Sequence, residues 1–173
     1  MKPLFMWSGG KNKMLKHYKD EFPKTFSTYI EPFFGGGATF IKASQINPNA
    51  NFVINDINPF IIGIYQAIKS DLQPFLDKMD ELSAKYLPLS KVDRKKFYFD
   101  LRKEYAFQYT KWNKTEESAV LYFLMKTGFN GIWQINKNTN NRFGTPAGLL
   151  NQTDSVYDKD NVKKWHKVLQ NTT

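Results

Sequence analysis

The stretch Tyr29-Ile30-Glu31-Pro32-Phe33-Phe34-Gly35-Gly36-Gly37-Ala38-Thr39-Phe40 decides how this chain is read. An apolar, aromatic run reaches Glu31-Pro32, three glycines follow, and a helix-compatible segment begins at Ala38. That order is strand, glycine turn, helix. Glycine serves where the backbone turns sharply or must come close to a ligand without a Cβ in the way. Such a turn, between a strand end and a helix start, is where α/β folds hold nucleotide-like cofactors. Taken alone, the triplet fits a plain strand-to-helix turn equally well.

The next segment adds specificity. Asn51-Phe52-Val53-Ile54-Asn55 is a short second strand ending at Asp56. Asp56 stands roughly 20 residues past the glycines, the spacing at which a second-strand carboxylate meets a cofactor ribose. Pro59 follows at a suitable first helical position. The triplet does not fit G-x-G-x-x-G, which disfavours a nicotinamide enzyme.

Three blocks now carry a resemblance: Met6-Trp7-Ser8-Gly9-Gly10-Lys11, Ile30 through Ala38, and Ile54-Asn55-Asp56-Ile57-Asn58. They resemble the S-adenosylmethionine-binding blocks of Dam-type DNA adenine-N6 methyltransferases. Gly128-Phe129-Asn130-Gly131-Ile132 and Phe143-Gly144-Thr145-Pro146 are similar to that family's target-recognition hairpin. Order and spacing agree along essentially the whole chain. The resemblance implies an α/β fold, a partial Rossmann-like methyltransferase with a helical target-recognition insertion and a β-hairpin. It implies cofactor contacts at Trp7, Lys11, Glu31, Phe33, Gly35, Gly36, Gly37, Asp56 and Ile57. Lys11 would meet the methionine carboxylate and Trp7 would pack beside the sulfonium, although Trp7 alone reads as an anchoring core aromatic.

At 173 residues the chain is one domain, or one with a subdomain. We expect a cofactor-binding part over 1–70, a helical recognition part with the hairpin over 71–157, and a return helix over 158–173. No apolar run approaches a membrane span, and the amino end is too short and too polar for a signal peptide. The absence of Cys excludes disulfides and thiolate zinc sites and makes a reducing cytoplasm the simplest location. No metal is implied, and His17 and His166 read as surface residues. The net charge of +9 suits a polyanionic partner, here double-stranded DNA. Basic residues occur throughout, so no patch is defined, and a basic protein with solvated lysine faces would look similar.

Helices are expected at about 12–20, 59–69, 71–86, 91–109, 116–127 and 158–169. Leu72, Phe75, Leu76, Met79 and Leu82 form an apolar stripe in the third of these. Ser90 and Asp93 resemble a capping box, and Phe97, Leu101 and Tyr105 form the stripe behind it. Thr115 is the expected cap of the next helix, whose centre, 119–125, is apolar nearly all round. Residues 132–136 alternate like a strand, 137–141 form a polar turn, and 142–145 supply a return strand. Asn130, Gln134, Asn136, Lys137, Arg142 and Pro146 are expected at DNA, with Gln134 toward base edges and Lys137 and Arg142 toward phosphates. A surface hairpin rich in Asn because turns favour Asn is the alternative. Gln134 stands where the family's hairpin carries a guanine-reading Arg, Asn140-Asn141 lengthens the turn, and Thr145-Pro146-Ala147-Gly148 departs from Val-Pro-Phe/Tyr-Gly. These differences leave GATC specificity open.

The family transfers the methyl group with an Asp-Pro-Pro-Tyr motif, and this sequence has no Pro-Pro pair. Three expectations follow: a fragment of a longer product, one half of a split enzyme completed by a separate C-terminal catalytic half, or a non-catalytic DNA-binding derivative. No catalytic residue is assigned, and the chain alone is expected not to methylate DNA. Asn171-Thr172-Thr173 reads as the lead-in to a strand that is not present.

Overall fold

The computed structural model describes residues 1–7, 15–18 and 21–173. A helical turn, α1 (Leu15–Tyr18), precedes strand β1 (Thr28–Glu31), helix α2 (Ala38–Ile46) and strand β2 (Asn51–Ile54). The rest of the helix expected over 12–20 lies outside the described residues. β1 and β2 pair in parallel, Thr28 opposite Asn51 and Ile30 opposite Val53. Alternation along each strand sends Tyr29 and Phe52 to one face, with ring centroids 5.9 Å apart. There Phe40 of α2 meets Phe52 at 5.1 Å and stacks on Trp165 at 5.5 Å. Fully burying a ring such as Phe40 is worth roughly 1.5–3 kcal/mol. On the opposite face Ile30 is 66% exposed and Val53 38%.

The carboxyl-terminal residues pair with the other edge of β2. Phe52 N donates to Asn171 O (3.2 Å), Ile54 N to Thr173 O (2.9 Å), and Thr173 N to Phe52 O (2.7 Å). The strand expected to be absent is thus begun, parallel to β2.

Five longer helices complete the architecture. α3 (Pro59–Ser70) starts as its sequence dictates: the Asn58 side chain accepts from Phe60 N and Ile61 N, and Pro59 holds the first position. α4 (Leu72–Tyr86) buries Phe75, Leu76, Met79 and Leu82, as its stripe predicts. α5 (Lys91–Phe107) is capped by Ser90, but its buried line is Arg94, Tyr98, Leu101, Tyr105, with Phe97 half-buried. Arg94 turns inward, where its two terminal nitrogens donate to the Leu87, Leu150 and Gln152 carbonyls while its buried Nε has no acceptor among the described residues. α6 (Lys114–Thr127) is capped by Asn113, not Thr115. Asn113 and Glu116 exchange both capping-box bonds, while Thr115 Oγ1 donates to Asp71 Oδ2 (2.8 Å) at the start of α4. α6 is buried through 118–125 because α3, α4 and α5 all pack on it. α7 (Lys159–Leu169) is capped by Asp158 and carries Trp165 under the sheet.

The amino-terminal segment is tied to α7. Lys2 N donates to Asn161 Oδ1 (2.8 Å), and Lys2 O accepts from Asn161 Nδ2 (3.0 Å) and Trp165 Nε1 (2.7 Å). One continuous hydrophobic cluster runs from Leu4 to Leu169, so the strands and helices share a core. Among the described residues, no helix is long and apolar enough to cross a membrane.

Candidate cofactor cradle and nucleic-acid hairpin

The glycine turn sits at the carboxyl end of β1. Gly35 and Gly37 are left-handed, with φ of +51° and +68°, a region costly to residues with a Cβ. Space is equally limiting: a Cβ on Gly35 would lie 2.6 Å from Trp7 Cδ1, so the indole lies against the turn. Gly36, also buried, has Trp7 Cβ as its nearest neighbour.

Asp56, at the carboxyl end of β2, closes the turn. Its Oδ2 accepts from Gly35 N (2.8 Å) and its Oδ1 from Asn58 N (2.9 Å). The buried Tyr65 hydroxyl donates to Gly35 O (3.3 Å), so both polar groups of that peptide are held. Burial, with the charges of Glu31 and Asp56 nearby, pushes the Tyr65 pKa well up and keeps it a donor.

Glu31 lies buried beneath the turn, accepting from Tyr29 Oη (2.8 Å) and Thr39 Oγ1 (2.5 Å). Phe33 and Ile57, next to the two strand ends, are 76% and 93% exposed. Gly35 therefore lies against Trp7 on one side and is bonded by Asp56, Glu31 ties β1 to the start of α2 through Thr39, and Phe33 and Ile57 leave apolar surface at the rim. Lys11 lies outside the described residues.

The hairpin is short. β3 (Ile135–Asn136) pairs antiparallel with β4 (Arg142–Phe143), Asn136 opposite Arg142. The expected strand over 132–136 is reduced to two ladder residues, continued by the backbone bond from Gly144 N to Gln134 O (2.7 Å) and followed by a side-chain bond from Thr145 Oγ1 to Ile132 O (2.6 Å). Asn140 and Asn141 turn the chain in left-handed conformations, which Asn tolerates. The Asn136 side chain accepts from Asn138 N, and Thr139 is buried between the strands. Asn130, Gln134, Asn136, Lys137 and Pro146 are all exposed.

Arg142 is not among them. It is 8% exposed, paired with Glu117 and surrounded by rings, so the surface position expected of a phosphate contact is not the one it occupies. Its charge is retained indoors because a carboxylate and aromatic faces replace water.

Several supporting residues were not singled out by sequence reasoning. Tyr98 Oη donates to Thr145 O (2.9 Å), and Arg102 Nη1 to the carbonyls of Gly144 (2.9 Å) and Thr145 (2.8 Å), strapping the hairpin to α5. Trp133 stacks on Phe60 (5.8 Å) and approaches Trp7 (6.5 Å), linking the hairpin to the glycine turn. The only signal for them was an unusual density of aromatic and basic residues on α5 and around 133.

The glycine turn closed by a second-strand carboxylate thus lies beside a strapped polar hairpin. The chain belongs to the D12 class of N6 adenine-specific DNA methyltransferases, whose family model matches residues 7–173. It is 30% identical over 176 residues to the type II methyltransferase M.MjaIII of Methanocaldococcus jannaschii, covering 99% of this chain and 60% of that one. It is 34% identical over 175 residues to the type II methyltransferase M.CviBI of Paramecium bursaria Chlorella virus NC1A, covering 99% and 59%. It is 25% identical over 147 residues to a DNA adenine methylase of Haemophilus influenzae, covering 85% and 47%. The chain thus spans about 60% of the length of the first two relatives.

Proposed function

We propose that this chain is the cofactor-binding and DNA-recognising part of a site-specific adenine-N6 DNA methyltransferase that uses S-adenosylmethionine. The observation that carries the reading is the clasp of Asp56 on Gly35 beneath Trp7, at the carboxyl ends of two parallel strands, where α/β sheets bind their ligands. The donor set fits the cofactor. Each Asp56 oxygen accepts one backbone N–H and keeps capacity for a ribose hydroxyl. Phe33 and Ile57 offer apolar surface to a purine ring, and Trp7 a ring face to a sulfonium. When bound, the cofactor supplies the methyl group. This chain's residues hold and orient it, while Gln134, Asn136 and Lys137 meet duplex DNA, with Asn130 and Pro146 at the hairpin's base.

A further polypeptide segment carrying the acceptor group for the adenine amino protons completes the enzyme in this reading. Parallel sheets are ordinarily covered on both faces, and the Ile30–Val53 face and the outer edge of β1 are where that segment adds. The net charge of +9 supports the DNA partner.

The test combines calorimetric binding of S-adenosylmethionine, duplex binding, and tritiated methyl transfer with and without the carboxyl-terminal segment of a relative. Binding of both ligands, with transfer only in the completed protein, is expected. Duplex binding without cofactor binding would leave a non-catalytic DNA-binding protein.

A further inference from the structure

Arg142 is the most enclosed cation of the hairpin. Its guanidinium carbon lies 4.0 Å from the ring centroid of Tyr109, 4.4 Å from that of Tyr105 and 4.9 Å from that of Phe60. Glu117 of α6 takes its Nη2, and Nε has no hydrogen-bond acceptor among the described residues. The four partners come from four places: the start of α3, the end of α5, the 3₁₀ turn at Tyr109–Lys111, and α6. A side chain so committed cannot also reach a phosphate.

We propose that Arg142 is a positioning residue for sequence recognition: its box fixes β4, and through it the direction in which Gln134 and Asn136 meet base edges. This rests on the reading of the hairpin as the DNA contact. Asn136 is the register partner of Arg142, and Gln134 O is bonded by Gly144 two residues beyond Arg142. Any shift of Arg142 therefore moves both readers. The box selects a planar guanidinium. Stacking against three rings while pairing with a carboxylate suits its flat, weakly hydrated fork, and an ammonium on a flexible stem cannot do both.

The test selects from a random-sequence duplex library with wild type, then measures each variant on the selected duplex and a scrambled one across a salt series. Lys137→Ala, an exposed cation, should lower the salt slope by about one and leave the affinity ratio between the two duplexes intact. Arg142→Lys should leave the slope unchanged and shrink the ratio by about tenfold or more. Exchange of the Gly144 amide should accelerate while that of Ile54 stays as in wild type. Glu117→Gln, which keeps shape and removes the counter-charge, should shrink the ratio in the same way and carries the test if Arg142→Lys does not fold. A slope reduced by about one in Arg142→Lys, or a folded variant of either residue with the ratio intact, overturns the proposal. A wild-type chain that enriches no sequence overturns the reading of the hairpin and this proposal with it.

Discussion

Gly35 and Asp56 are joined across 21 residues by a backbone N–H to carboxylate bond of 2.8 Å, and the same carboxylate caps Asn58 N. Hydrogen bonds to charged groups contribute about 1.5–3 kcal/mol each. Asp56→Ala removes two of them and leaves both amides without this acceptor. We expect a loss of about 2–4 kcal/mol in urea unfolding and a much weaker calorimetric signal for S-adenosylmethionine. An Asp56→Ala chain that binds the cofactor as wild type does would remove Asp56 from the site.

Two glycines predict opposite outcomes for the same substitution. Gly37 has φ of +68°, and a Cβ there would sit 2.6 Å from Trp165 Cη2. Left-handed strain plus overpacking puts Gly37→Ala at about 2–5 kcal/mol destabilising. Gly63, inside α3, has Ser118 Oγ as its nearest neighbour at 3.5 Å. Gly63→Ala should gain about 0.5–1 kcal/mol from helix propensity. Thermal melts of the two variants should move in opposite directions, and a common direction would contradict the packing described here.

The open sheet face supplies a prediction about assembly. Ile30→Lys places a charge where the side chain is already largely in water, so stability should change by no more than about 0.5 kcal/mol. If a completing segment covers Ile30 and Val53 as proposed, the same charge would be buried there. Reconstituted methyl transfer should fall steeply in Ile30→Lys while calorimetric cofactor binding by the chain alone is kept. Full reconstitution by the variant would place the added segment elsewhere.

Asp80 links α4 to the segment leading into α7. It accepts from Tyr157 Oη (2.6 Å) and Lys159 Nζ (2.5 Å). Partial burial raises its pKa, but the Lys159 and Tyr157 hydrogen bonds outweigh this and leave it below the usual carboxylate range. A depressed folded pKa means stability that is present above the unfolded value, about 4, and is lost as pH falls through the lower folded value. Wild type should therefore exceed Asp80→Asn in stability at neutral pH, and the gap should close on acidification. A gap that stays constant with pH would show that the carboxylate's charge is not involved.

The strand, turn and helix order of the first seventy residues was legible because its logic is local. A glycine triplet, an acid at the end of the next strand and an Asn-Pro helix start each declare themselves within a few residues, and Asn58-Pro59 does just what its chemistry suggests. The α4 stripe was legible for the same reason. The cap of α6 was misplaced by two residues because Asn113 and Thr115 are both good caps, and the choice falls to Glu116, which reaches back to Asn113 N. Arg142 was misread because nothing nearby announces its burial: Phe60, Tyr105 and Tyr109 come from distant parts of the chain and meet only in the folded protein. Residues 171–173 were legible as the lead-in to a strand, but their pairing with β2 was not, since three residues carry no sign of their partner.

The anchoring of Lys2 by Asn161 and Trp165 has a consequence for the order of events during synthesis. These bonds span 159 and 163 residues. At 5–20 residues per second, α7 is made roughly 8–30 s after the amino end. Until then Lys2 lacks the partners that hold its backbone, and contacts of such long sequence separation slow folding. The Lys2 anchor, although its residue is among the first made, is thus among the last contacts to form. A nascent chain paused before α7 should show Lys2 more open to protease than the finished chain does, while Leu4 and Phe5 can already meet Tyr65 of α3 and Tyr122 of α6.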